Sequence, residues 1–207
     1  MPWINRLFIL LPLLFLNAVN AEWGEGWDPI DPPVATTASE GKVEVIEFFW
    51  YGCPHCYHME PQLEEWLKNK PENVEFIRIP APLNSKWTVH AQFFYAAEIL
   101  GLTEKLHNPL FSAIHDKKRK LYDKDSLIDF AVEHGADRQQ FIDALNSFGV
   151  YVKVQNARKL GQRYQLDGVP AIGINGKYKT SGSLAGTYSK MFEIVTQLVS
   201  KELNTTP

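Results

Sequence analysis

Strand-forming patterns occur at two places in this chain, separated by a stretch from about Leu83 to Gln165 that has none. "KVEVIEFFW" (42–50) and "NVEFIRIPA" (73–81) are rich in Val, Ile and Phe, and "VPAIGI" (169–174) with "KYKTSG" (177–182) resume the pattern late. Apolar residues on both faces of the first segment mark it as a central strand. "CPHCYHMEPQLEEWLKN" (53–69) follows, and sets Leu63, Trp66 and Leu67 on one face of a helix, so the first three elements form a βαβ unit with parallel strands. Asn175-Gly176 between the last two strand segments is a strong hairpin signal. A closing helix from about Leu184 aligns Tyr188, Met191, Phe192, Val195, Leu198 and Val199 in one stripe.

The intervening stretch carries helical punctuation. "HAQFFYAAEIL" stops at Gly101, "DSLIDFAVEH" stops at Gly135, Asp137 and Gln140 resemble a capping box, and a last helix spans about Val150 to Tyr164. A chain that leaves a sheet and returns to it across helices is an α/β fold with an inserted all-helical domain. The expected division is a discontinuous sheet domain at 42–82 and 166–204 around a helical insertion at 83–165.

The first 21 residues carry Arg6 as their only charged side chain, then an apolar run from Leu7 to Leu16, then small residues at Val19 and Ala21. That is the layout of an export signal cleaved after Ala21, and the run is shorter than the roughly 20 residues a bilayer-spanning helix needs. Residues 22–41 are rich in Gly, Pro, Trp and acid and read as an extended arm, with Trp23 and Trp27 packing on their own domain. The formal charge of −3 gives nucleic acid no basic surface to hold, so no nucleic-acid partner is expected.

Export changes how the only two cysteines, Cys53 and Cys56, are read. A structural disulfide stabilises most when it closes a long loop, and this pair encloses two residues. A c-type haem needs C-x-x-C-H, and residue 57 is Tyr. Zinc would have to recruit His55 and His58 without a second C-x-x-C or a paired-His spacing, so no metal is expected. Redox chemistry remains. Cys53 sits where the strand meets the helix, and Pro54 takes the first helical position. The unpaired N–H groups and positive end of the helix, with His55 beside them, favour a Cys53 thiolate. Cys53 is therefore the expected nucleophile, Pro54 and His55 tune its thiolate, and Cys56, one turn further in, resolves.

"EFFWYGCPHCYHMEP" resembles the active-site strand and helix of the DsbA family of thioredoxin-fold thiol oxidants, and "GVPAIGINGKY" resembles that family's cis-proline loop. The resemblance implies a thioredoxin-like fold and a cis Val169-Pro170 bond that turns the Val169 backbone toward Cys53. It implies that Glu47 is a buried acid beneath the cysteines, relaying protons to the resolving thiol, with Arg78 as its basic partner. Trp50 and Tyr51 are candidate surfaces for unfolded chains, whereas His90, His107, His115 and His134 are expected at the surface.

By the same resemblance the chain is a periplasmic enzyme that donates its Cys53–Cys56 disulfide to reduced, newly exported proteins. A DsbB-type inner-membrane quinone reductase would reoxidise it, and the redox-active disulfide is its only redox group, with no separate cofactor. A monomer is expected; the segment between Ala21 and Val43 is neither long nor patterned enough for the dimerisation module that disulfide isomerases and reductases commonly carry. Two alternatives remain open here: a disulfide reductase or isomerase held reduced, and a non-catalytic chaperone that kept the fold.

Overall fold

Five strands make one sheet in the computed structural model, which describes residues 25–205. In chain order the elements are β1 (Asp28–Pro29), β2 (Val43–Phe49), α1 (Pro54–Asn69), β3 (Val74–Pro80), α2 (Ser85–Ile99), α3 (Thr103–His115), α4 (Lys124–Glu133), α5 (Arg138–Leu145), α6 (Phe148–Arg163), β4 (Ala171–Ile174), β5 (Tyr178–Ser181), α7 (Gly182–Ala185) and α8 (Tyr188–Thr205). The export signal read at 1–21, and Trp23, lie outside the described residues.

The strand order is β1-β5-β4-β2-β3. β2 pairs in parallel with β3, as a helical crossover requires, and antiparallel with β4. All seven residues of β2 are buried, because it has a strand on each side and a packed layer on each face. Val43 and Val45 point to a layer formed by α1 and α8, where Met59, Leu63, Met191 and Val195 close around them. Ile46 and Phe48 point the other way, onto Ile30, Val34 and Tyr164. Phe49, at the end of β2, joins the core of the inserted helices, with Phe94 and Phe111 against its ring.

The arm departs from the sequence reading. Asp28 and Pro29 pair with Lys179 and Tyr178 as an edge strand, and Ile30 and Val34 are core residues at 4% exposure each. A two-residue strand is too short to show a period, so only packing reveals it. Trp27 does pack on its own domain, edge-on to Tyr178. His90 and His107 also depart from expectation, being 1% and 5% exposed. Each has a partner that makes burial tolerable: His90 Nε2 lies 2.6 Å from the Leu121 carbonyl, and His107 Nδ1 lies 2.9 Å from the Tyr51 hydroxyl.

The hairpin between β4 and β5 turns at Asn175 (φ 48°) and Gly176 (φ 69°), the two positive-φ positions that an Asn-Gly turn supplies. Gly176 is also where the arm crosses: the Val34 N–H donates to the Gly176 carbonyl at 2.8 Å. A Cβ at residue 176 would lie 1.8 Å from the Val34 carbonyl oxygen. Gly176→Ala is therefore expected to lose more than about 2 kcal/mol in urea unfolding, from positive-φ strain and displacement of the arm. An unchanged midpoint would show that the arm does not need this close approach.

Candidate active site

Three elements converge on the cysteines: the end of β2, the first turn of α1, and the loop that enters β4. Cys53 is the N-cap of α1, with extended backbone (φ −88°, ψ 114°), and Pro54 is the first helical residue. The backbone fixes this geometry at both ends, since the Cys53 N–H donates to the Trp50 carbonyl at 2.9 Å and the Tyr57 N–H donates to the Cys53 carbonyl at 3.2 Å. Val169-Pro170 is cis, and the Cys53 thiol donates to the Val169 carbonyl at 3.5 Å. The two cysteines are present as free thiols.

The two sulfurs have opposite environments. Cys53 keeps 7% of its surface and Cys56 none, so only Cys53 is open to a reaction partner. The Cys53 pKa falls from 9.0 to about 6, first through the hydrogen bond from the Cys56 thiol, then through the backbone N–H groups of Cys56 and His55 and the charge of His55. Burial opposes this shift and is outweighed. Burial pushes the Cys56 thiol well up, and the neighbouring Cys53 thiolate adds to the effect. The site thus holds one thiolate and one thiol near neutral pH.

Beneath Cys56 lies a buried set of acids around one arginine. Glu47 has no exposed surface, and its Oε2 lies 3.0 Å from Arg78 Nε. Arg78 Nη2 reaches Glu60 at 3.2 Å and Glu64 at 3.0 Å. One cation faces three carboxylates, of which Glu47 and Glu60 are buried and Glu64 keeps 42% of its side chain exposed. Burial, reinforced by the charge of Glu60, raises the Glu47 pKa well above 4.5, against the pull of Arg78. Glu60 stays charged: burial disfavours this, but its contacts with His107 and Arg78 prevail. His107 Nε2 sits 3.7 Å from Glu60 Oε1, and burial keeps its imidazole neutral. Of these acids Glu47 is the one whose surroundings most favour the protonated form, and when ionised its charge pushes the Cys56 pKa up.

Tyr51 is a correction. Instead of offering a surface to substrates it is 1% exposed, with Phe49, Phe111 and His107 around its ring, because its hydroxyl has His107 to bond. Trp50 is half-buried, stacked on Trp87 with ring centroids 4.5 Å apart. Its ring lies so close over residue 52 that a Cβ there would come within 2.3 Å, which leaves glycine at that position. A groove of about 810 Å³ is lined by His55 and the Val169-Pro170 loop together with Ser181, Thr187 and Tyr188.

The chain is similar to known proteins over most of its length. It is 40% identical over 184 residues to the thiol:disulfide interchange protein DsbA of Burkholderia cepacia, covering 87% of each chain. The chain belongs to the DsbA family. Residues 85–187 match the family model described as a DSBA-like thioredoxin domain. The crystal structure of Pseudomonas aeruginosa DsbA superposes with a TM-score of 0.81 at 36% identity, over 86% of this chain and 92% of that one. The oxidoreductase DsbA of Xylella fastidiosa does so with a TM-score of 0.80 at 29% identity, over 86% of this chain and 95% of that one. The fold is thus thioredoxin-like with a helical insertion, as DsbA-family chains share it.

Two members of the buried set, Glu60 and His107, were missed in the sequence. Glu60 had a legible signal: it lies four residues after Cys56, on the face of α1 that carries Met59 and Leu63, where a charge needs a reason. His107 had none, since its partners are Tyr51, between β2 and α1, and Glu60 of α1.

Two outcomes follow from this electrostatic arrangement. Absorbance of the reduced protein at 240 nm should titrate with a midpoint near pH 6, and Cys53→Ser should abolish that step. Because the folded value lies below the unfolded one, the thiolate's contribution to stability is complete above the ordinary thiol pKa, shrinks as pH falls, and is gone below about 6. Arg78→Met should cost about 3 kcal/mol in urea unfolding at pH 7, because Glu60 loses its buried counterion. A midpoint near 9 in the first measurement, or an unchanged unfolding curve in the second, would contradict the assignment.

Proposed function

We propose that this chain is an exported thiol:disulfide oxidant that donates the Cys53–Cys56 disulfide to reduced proteins in the periplasm. The asymmetry of the two sulfurs carries the reading: the accessible one is the stable thiolate, and the buried one is the poor thiolate. A substrate thiolate attacks Cys53 Sγ, the Cys53–Cys56 bond breaks, and its electron pair goes to Cys56. Cys56, whose thiolate is disfavoured, takes up a proton, and Glu47 is the nearby acid that holds one. A second substrate thiolate then attacks the substrate sulfur of the mixed disulfide, and Cys53 leaves as the thiolate its surroundings stabilise. The substrate has lost two electrons and gained a disulfide, and the enzyme holds a dithiol.

The other site residues take supporting roles in this scheme. Pro54 leaves the first-turn N–H groups to the sulfur, and Pro170 has no N–H to compete for it. The Val169 carbonyl oxygen, 3.5 Å from Cys53 Sγ, is placed to pair with an extended substrate segment while Cys53 is in a mixed disulfide. The stacked Trp50 and Trp87 are the apolar surface beside the sulfur for unfolded chains. The dithiol must then pass its two electrons on, and a DsbB-type quinone reductase of the inner membrane is the acceptor in this reading, supported by the family resemblance. No further cofactor takes part, and the enzyme acts as a monomer.

Mixing the oxidised protein with a reduced, unfolded substrate tests the exchange. The wild-type protein should oxidise about one substrate dithiol per disulfide; Cys56→Ser, first loaded at Cys53 as a mixed disulfide with glutathione, should exchange glutathione for a single-thiol substrate and accumulate that mixed disulfide; and Cys53→Ser should do neither. A Cys53→Ser variant that still transferred disulfides, or a wild-type disulfide that survived the mixture, would refute the scheme.

A further inference from the structure

The charge and backbone of His55 stabilise Cys53, yet the imidazole itself is exposed at the second position of α1. A side chain free to sample its rotamers spends only part of its time where it acts on the sulfur. Its contact in the structure comes from the far end of the chain: the Tyr188 hydroxyl lies 3.4 Å from His55 Nδ1.

Tyr188 is itself held. α7 ends at Gly186 (φ 82°), a conformation that turns the chain sharply into α8. Thr187 then accepts the Lys190 N–H on its Oγ1 at 3.1 Å, so Tyr188 enters at the first residue of a capped helix. Its ring rests over Gly182, where a Cβ would come within 3.2 Å of Cε1, and packs on the core layer formed by α1 and α8. Burial raises the phenol pKa, and the charges of Cys53 and Cys56 raise it further, which places the hydroxyl in the field of the sulfurs.

We propose that Tyr188 is a positioning residue that holds the His55 imidazole beside Cys53 and keeps its charge and N–H groups acting on the thiolate. The inference rests on the reading of Cys53 as the reacting sulfur and adds a residue to it. A phenol suits the task because it both donates and accepts. Toward a neutral imidazole the O–H donates to Nδ1; toward an imidazolium the Nδ1–H donates to the phenol oxygen. The contact therefore survives the protonation change of the ring it positions. Tyr188 also lines the groove together with His55, Val169 and Pro170.

Tyr188→Phe removes the hydroxyl and keeps the ring, so packing over Gly182 is preserved. In reduced protein the Cys53 acid dissociation constant should fall about fivefold, the worth of one hydrogen bond. Equilibration with glutathione should shift toward the protein disulfide in the same direction. Placed in a His55→Ala background, the same substitution should leave both quantities within about twofold. An effect of equal size in both backgrounds, or no effect in the wild-type background, overturns the proposal. A wild-type thiolate midpoint near 9 would instead fail the underlying reading of Cys53, so the two failures are separate.

Discussion

The hydrogen-bond donors at the start of α1 are the feature on which the rest of the structure depends. Four N–H groups at a helix start have no partner within the helix, and here a sulfur occupies the cap position where an oxygen side chain usually sits. The cap makes no conventional side-chain hydrogen bond, so the donors of residues 55 and 56 remain for the thiolate. This requires a strand that delivers Cys53 to the helix start at a fixed angle. β2 does so because it is buried on both faces and paired on both edges.

The same strand brings a cost that the fold then uses. Continuing β2 through the core puts Glu47 on the face covered by α1, where a carboxylate without water is unfavourable. Arg78, opposite it in register on β3, offsets part of that penalty, and Glu60 and Glu64 of α1 take up the rest of the guanidinium. Burial, with the charge of Glu60 beside it, is what raises the Glu47 pKa against the pull of Arg78. The inserted helices complete the set through His107, which contacts Glu60.

The sheet, the crossover, the hairpin and the insertion were legible because each depends on local pattern: period, turn chemistry and helix punctuation. The Asn175-Gly176 turn is the clearest case, since both residues adopt the positive φ their chemistry allows. Cys53, Cys56, Pro54 and His55 were legible for the same reason, being adjacent in sequence and in space. Val169-Pro170 was not legible locally: base rates favour trans, and only the resemblance reversed that expectation. Tyr51 was misjudged as a surface residue because its burial depends on His107, which lies 56 residues away. Ile30 and Val34 were lost in a Pro-rich arm whose packing depends on the space above Gly176. What the sequence concealed was long-range pairing, and it concerned polar or irregular residues whose role is set by a distant partner.

The central claim is that the surroundings of Cys53 stabilise the dithiol state and so make the disulfide an oxidant. The most direct measurement is the reduction potential of the Cys53–Cys56 pair, from equilibration with defined glutathione mixtures at pH 7. A value well above the roughly −180 mV of protein disulfide isomerase is the result expected of a disulfide donor. A value near the roughly −270 mV of thioredoxin would contradict the account and make the protein a reductase.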